Sequence, residues 1–320
     1  PFGDRKYADM SPVIYTGINL RQHPQTRSIT IDQTHYIEKL REVPLKQYSD
    51  GLLDHRGQTQ FWSQLGALLW VAVNTRPDVA YDISHYASYG TKPEKQHLAS
   101  LNKLVRTLQS REYTITLEKV AKEWDDMTLV VFTDAGHTSR PSGHSQAGTM
   151  IFWAPKDVLK GQEVRALMAD YSSAKINRAV WSSYASELQA ATIATDSAVS
   201  VLLLYEQVRW GLKAKQVQEK LTNKTQTRVL VTDNKGLYDS IQVEKPSTRQ
   251  GVKMQSLVYQ ILYDLVVDHG FQTFWVNGEH MLADGFTKLS SSGARVDLIR
   301  DVMELSLIHI SEPTRLESKS

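Results

Sequence analysis

The sequence predicts an α/β protein: a mixed sheet flanked by helices, preceded by a mostly helical segment. Three observations predict it. Between residues 128 and 289, β-rich runs and helical patterns follow one another in the order βββ-α-β-α-α-β-α. Three strands in a row make an antiparallel meander, whereas the later β-α-β crossovers require parallel pairing, so the sheet is mixed. Between residues 58 and 110, apolar residues recur only at helical spacing.

The early elements can be justified in order. Residues 13–20 and 27–32 read as two strands around the polar turn His23-Pro24-Gln25, and 34–41 as a short helix. Phe61, Leu65, Leu68, Leu69 and Ala72 form one apolar stripe. Pro77 imposes a break or a helix start, and Val79, Ile83 and Tyr86 continue a second helix. Pro93 stands where a first-turn proline is tolerated, ahead of the stripe Leu98, Leu101, Val105 and Leu108. This region reads as structural. Tyr113, Ile115 and Leu117 alternate with polar residues and suggest a strand leading out of it.

Beyond residue 128 the expected strands are 129–133, 147–153, 178–182, 228–232 and 271–276. Trp181, on the third, is expected in the core. Helices are expected at 184–210, 234–241 and 249–269, with a last one from about Met281. The first of these carries Leu188, Ala191, Thr195, Val199, Leu202 and Val208 on one side, and the third carries Leu257, Ile261 and Leu265. Residues 305–315 read Leu-Ser-Leu-Ile-His-Ile-Ser-Glu-Pro-Thr-Arg, like a translated sequencing-library adapter rather than evolved protein, as a fusion scar would.

Composition narrows the function. The 320 residues suit about two domains, at roughly 150 residues each. Hydrophobic residues make up 41% and charged residues 22%, which argues against collagen, long disorder and coiled coil. The apolar run around 65–73 is about half of the roughly 18 residues a membrane span needs, so no membrane association is expected. No secretory leader pattern opens the chain, and the absence of cysteine excludes disulfide scaffolds, thiolate zinc sites and a cysteine nucleophile. The expectation is an intracellular protein, cytoplasmic or nuclear. With a formal charge of only +2, nucleic-acid binding would need a local basic surface.

Four acids stand at telling places. Asp134 and Asp233 end predicted strands, Glu187 lies in the first turn of the long helix, and Asp284 opens the last one. In an α/β sheet, strand ends and neighbouring helix starts share the edge where ligands bind. Each acid alone could be a helix cap or a dipole partner; four at one edge is a different matter. Two such charges about 4 Å apart repel by roughly 4 kcal/mol at an effective dielectric near 20, so either protons or divalent cations must be held there. Oxygen ligands without sulfur favour Mg²⁺ or Mn²⁺. Paired ions about 3.5–4 Å apart suit phosphodiester hydrolysis.

The residues around these acids carry a resemblance. Phe-Thr-Asp-Ala-Gly around Asp134, Trp-Ser-Ser-Tyr-Ala-Ser-Glu-Leu-Gln-Ala around Glu187, Val-Thr-Asp-Asn around Asp233 and Leu-Ala-Asp-Gly-Phe-Thr-Lys around Asp284 resemble the ribonuclease H (RNase H) domain of a reverse transcriptase. They are most like that of copia-type LTR retrotransposons. Gly66-Ala-Leu-Leu-Trp and Thr75-Arg-Pro-Asp-Val-Ala-Tyr81 resemble the thumb and connection segment that precedes it in the Pol polyprotein.

The resemblance implies four divisions: 1–50, the end of a reverse-transcriptase palm; 51–127, thumb/connection; 128–290, RNase H; and 291–320, a tail. The chain would then be a fragment of a longer polypeptide. An RNase H-like sheet of strand order 3-2-1-4-5 is expected, with two Mg²⁺ ions (or Mn²⁺) held by Asp134, Glu187, Asp233 and Asp284. The implied activity is endonucleolytic cleavage of the RNA strand of RNA–DNA hybrids, leaving a 5′-phosphate and a 3′-hydroxyl. The expected partners are the hybrid and the polymerase part of the same polyprotein. No Tyr-x-Asp-Asp motif is present, so no DNA synthesis is expected. Residues 154–177, between predicted strands two and three, are long for the family.

Ser183, Ser186 and Asn234 border the acids and are candidates for phosphate or ribose contacts, with Arg178, Lys235, Arg249 and Lys253 lining a groove. Two alternatives stand beside this reading: an inactive nucleic-acid-binding remnant, and a DNA nuclease on the same fold.

Overall fold

The computed structural model describes residues 12–211, 226–242, 253–289 and 296–310. Strands β1 (Val13–Tyr15), β2 (Ile18–Gln22) and β3 (Ile29–Asp32) pair in succession, and β4 (Ile115–Leu117) adds to β3, all antiparallel. Residues 13–20, expected to be one strand, are folded into two by Thr16 and Gly17, both at positive φ. That is the backbone a tight two-residue hairpin turn requires.

Helix α1 (Thr34–Ile37) is a single turn. Helix α2 (His55–Asn74) starts at Asp54, whose carboxylate accepts from the Gly57 amide at 2.8 Å. A 3-10 turn at Pro77–Val79 leads into α3 (Ala80–Ala87), and α4 (Lys95–Ser110) is closed by a capping box between Glu94 and His97. Pro93 thus precedes the cap rather than joining the first turn. Phe61, Leu65, Leu68, Ile83, Leu98, Leu101 and Leu108 close one core. Leu69 is 46% exposed: positions 61, 65, 68 and 72 share a face, and 69 turns off it.

The larger sheet uses β5 (Met127–Gly136), β6 (Gln146–Pro155) and β8 (Leu167–Lys175), with the short β7 (Val164–Arg165) between the last two. Helix α5 (Ser183–Trp210) follows. Then come β9 (Arg228–Thr232), α6 (Lys235–Ile241), α7 (Lys253–Asp268), β10 (Phe271–Trp275), α8 (Val296–Leu305) and β11 (Leu307–Ile308). The spatial order is β10-β9-β5-β6-β8. The β5–β6 and β6–β8 pairs are antiparallel; β5–β9 and β9–β10 are parallel. Counted along the chain that is 3-2-1-4-5, an RNase H-like fold. Helices α5 and α7 bury Leu129, Val131, Ile151 and Leu230 on one face. The turn Leu282–Phe286 and α8 bury Val130, Phe132, Phe152 and Val231 on the other. Coverage on both faces explains why β5 and β9 read as continuous apolar runs.

Several expectations need correction. The third strand is β8, not 178–182. It is a half-buried edge strand, and its polar run Asp170-Tyr-Ser-Ser carries little apolar signal. The expected strand is instead the approach to α5, where Ser182 accepts from the Ala185 amide at 3.1 Å. Trp181 there is 86% exposed, so it is not a core residue. In α7 the buried positions are Val258, Tyr259, Leu262 and Val266, leaving Leu257 and Ile261 exposed, and Val208 of α5 is exposed too. Two 3-10 turns, Gly278–His280 and Leu282–Phe286, replace the helix expected from Met281. Residues 305–310, adapter-like in sequence, take part in the fold. Leu307–Ile308 pair with β7, and Ile308 and Ile310 are buried, as the alternation Leu-Ile-His-Ile permits.

Candidate active site

Parallel pairing of β5 with β9 fixes the site. Phe132 pairs with Val231, and the same register continued by two residues sets Asp134 opposite Asp233. Asp134 lies within β5, and Asp233 directly follows β9. Glu187 projects from α5 just beyond the first helical turn, not within it. One oxygen from each of Asp134, Glu187 and Asp233 lies within 4.8 Å of the others. Asp134 and Glu187 are buried and Asp233 half-buried.

Asp284 stands beside this group rather than in it. It sits on the turn Leu282–Phe286, and its Oδ1 pairs with the ammonium of Lys288. Thr287 bridges the two parts: its Oγ1 is 2.6 Å from Asp134 Oδ2 and 2.9 Å from the Asp284 carbonyl. The turn comes this close only because two strand positions lack side chains. A Cβ on Gly148 would lie 2.7 Å from the Ala283 carbonyl oxygen, and one on Gly136 2.5 Å from that of Thr287.

Bringing these acids together out of water has a clear electrostatic signature. Burial, then the charges of Asp134 and Asp233, push the Glu187 carboxyl up to about 9. Burial and then Asp134 push Asp233 up to about 6. Burial also raises Asp134, opposed by the Thr287 hydroxyl. Glu187 therefore stays protonated at neutral pH unless a cation replaces the proton. Glu187 Oε2 is buried with no hydrogen-bond partner, a lone pair aimed into the protein without a donor. Three convergent carboxylates, one with an orphaned oxygen, fit a hard divalent cation such as Mg²⁺ or Mn²⁺.

The other expected site residues are dispersed. Ser183 is exposed at the start of α5. Ser186 is fully buried, its Oγ 2.8 Å from His137 Nδ1 and 2.9 Å from Ser145 Oγ, so it faces the protein and not a substrate. Asn234 caps α6, accepting from the Leu237 amide at 2.9 Å. Lys235 is exposed, its ammonium 5.8 Å from the ring centroid of Trp275, and Arg178 is exposed. Arg249 lies outside the described residues, as does the side chain of Lys253, the first residue of α7.

Sequence reasoning missed four neighbours: Thr287, Lys288, His137 and Trp275. Thr287 and Lys288 follow Asp284 by three and four residues, a helical-turn spacing that was legible. The indole of Trp275 donates to the Asp233 carbonyl at 2.7 Å. No local pattern announces a contact of that kind.

No protein-family model and no curated protein matches the chain. Several solved structures are similar to it. The N-terminal RNase H domain of Rv2228c from Mycobacterium tuberculosis, solved as a maltose-binding-protein fusion, is 16% identical with a TM-score of 0.32; the match covers 56% of this chain and 96% of that one. LC11-RNase H1, isolated from compost by a metagenomic approach, is 13% identical with a TM-score of 0.33 over 50% of this chain and 92% of that one. The foamy viral protease-reverse transcriptase, solved in complex with an RNA/DNA hybrid, is 12% identical with a TM-score of 0.44; the match takes in 83% of this chain and 29% of that one.

Proposed function

We propose that the chain is a divalent-metal-dependent nuclease that cleaves the RNA strand of RNA–DNA hybrids, acting intracellularly within a copia-type retrotransposon polyprotein. The observation that carries this reading is the convergence of Asp134, Glu187 and Asp233 within 4.8 Å at the edge shared by β5 and β9. Divalent cations held by these three carboxylates, with Asp284 beside them, would supply the positive charge that offsets a phosphodiester and the activation of water.

The protein's own groups do the rest. Thr287 engages Asp134 Oδ2 and so selects which oxygen Asp134 offers. Trp275 fixes the backbone of Asp233. Burial of Glu187 keeps water from competing for its orphaned oxygen. Lys288 adds a positive charge beside Asp284, where phosphate would approach. Ser183, Lys235 and Arg178 are exposed and would be the candidate contacts for the sugar–phosphate backbone. The 2′-hydroxyl distinguishes the RNA strand from its DNA partner.

The test is cleavage of end-labelled RNA in a hybrid, compared with single-stranded RNA and with DNA duplex, in Mg²⁺ and in chelator. Hybrid-selective, Mg²⁺-dependent cutting that disappears in Asp134→Asn is expected. Equal cutting of DNA duplex would replace the reading with a DNA nuclease. Salt-dependent hybrid binding without turnover would replace it with an inactive binding remnant.

A further inference from the structure

The helical segment does more than precede the nuclease sheet. We propose that helix α3 positions the active site: Tyr81 and Ser84 hold the β5–β6 hairpin from outside, and the hairpin braces α5 at Ser186, beside Glu187. The proposal rests on the nuclease reading for its catalytic consequence, although its structural consequence can be measured without it.

The outer contacts are specific. Tyr81, 3% exposed, donates its hydroxyl to the Ser139 carbonyl at 3.1 Å. Ser84 Oγ accepts from the Gln146 amide at 3.2 Å and from the Arg140 guanidinium. Arg140 also donates to Gln146 Oε1. The Gln146 amide reaches Ser173 Oγ on β8 at 2.7 Å, and Ser173 donates to the Phe286 carbonyl at 2.6 Å. One polar network therefore joins α3, the hairpin, β8 and the turn that carries Asp284.

Its members are deep in the protein: Gln146 is 0% and Arg140 7% exposed. Arg140 rests on neutral acceptors, Ser84 Oγ and Gln146 Oε1, so losing one leaves a buried guanidinium donor unpaired.

The inner contacts lead to the acids. Ser145 Oγ accepts from the Thr138 amide at 3.2 Å and lies 2.9 Å from Ser186 Oγ, which His137 Nδ1 approaches at 2.8 Å. Ser186 precedes Glu187, and Asp134 lies in the strand that enters the hairpin. Thr138 is held at φ +49°, a conformation a threonine adopts only where its surroundings impose it.

Helix α3 is itself a firm support. In the Thr75-Arg-Pro-Asp-Val-Ala-Tyr81 stretch, Arg76 is 1% exposed and forms a two-pronged pair with Asp78 at 2.8 and 2.9 Å. Its remaining nitrogen donates to the Arg111 carbonyl at 2.9 Å, beyond the end of α4. Asp78 Oδ2 lies 3.6 Å from Arg300 Nε on α8. The entry to α3 is thus fastened to both the helical segment and the nuclease core.

The experiment compares Ser84→Ala, Ser84→Thr and Tyr81→Phe in the full chain. It reads amide hydrogen exchange by segment together with kcat and KM on a hybrid. For Ser84→Ala, exchange across 137–146 rises about tenfold and kcat falls about tenfold, the effect of one net hydrogen bond, while KM and exchange in β1–β3 hold. Ser84→Thr, which keeps the hydroxyl, restores both. Tyr81→Phe, which only deletes an oxygen, raises hairpin exchange in the same place and serves if Ser84→Ala does not fold. Unchanged hairpin exchange in both Ser84→Ala and Tyr81→Phe overturns the proposal. So does faster exchange spread evenly over the chain, with kcat and KM moving together. Wild-type protein that cuts no hybrid would refute the nuclease reading alone, because the exchange pattern still decides whether α3 holds the hairpin.

Discussion

Replacing Asp134 by asparagine should make the metal-free protein more stable while abolishing its response to Mg²⁺. The substitution nearly conserves shape and lets the Thr287 hydroxyl keep an oxygen acceptor. It removes one negative charge from a group whose oxygens lie within 4.8 Å of one another. A fully charged pair at that distance costs about 3.5 kcal/mol at an effective dielectric near 20. Glu187 is raised to about 9 and stays mostly protonated near neutral pH, so the pair that counts there is Asp134 with Asp233, which is half-ionised at about 6. With Asp233 half-solvated and its charge partly screened, about 1–2 kcal/mol is expected, or a few degrees in Tm for a chain of this size. The sign follows from linkage. Folded pKa values above the unfolded ones mean that the folded state binds protons more tightly, so this contribution is full below about 4 and is lost as pH rises through 6 and then 9. The wild-type protein in chelator should therefore lose stability over that range, and Asp134→Asn should lose less. Urea or thermal unfolding at about pH 5, 7 and 9, with and without Mg²⁺, measures both effects. A variant less stable than wild type in chelator across the range, or one that gains as much from Mg²⁺, would refute the electrostatic account.

The remaining predictions concern the groups around the acids. Mg²⁺ affinity should rise between about pH 6 and pH 9 with release of protons, measured by calorimetry in buffers of different ionisation enthalpy; a flat profile would contradict the raised carboxyl pKa values. Thr287→Val removes the donor to Asp134 Oδ2 and should weaken Mg²⁺ binding by roughly tenfold, the net worth of a charge-assisted hydrogen bond, with hybrid affinity unaltered. Gly148→Ala forces a methyl to within 2.7 Å of the Ala283 carbonyl and should destabilise the protein by about 1–3 kcal/mol in urea unfolding while displacing Asp284. A neutral Gly148→Ala would show that the turn can yield.

What was legible in the sequence divides along a physical line. Strands β9 and β10 and helix α5 were readable almost to the residue, because each carries its own apolar pattern and its ends are set by nearby residues such as Ser182. Asp134 and Asp233 were readable for a related reason: a carboxylate at the end of an apolar strand is a local anomaly. Strand β8 was misplaced because its stability comes from pairing with β6, not from its own composition. Trp181 and Val180 drew the strand assignment by intrinsic preference, and the edge of the sheet overrode it. The supports of the acids were invisible for the same cause taken further. Thr287 reaches Asp134 from 153 residues away, and Ser84 reaches Gln146 across 62. Neither pair leaves a mark in a window of sequence, since a hydroxyl acquires meaning only from the group it faces once folded. The acids mark where chemistry could happen. That the oxygens of Asp134, Glu187 and Asp233 meet within 4.8 Å, and that the turn carrying Asp284 closes in over Gly136 and Gly148, is set by tertiary packing alone.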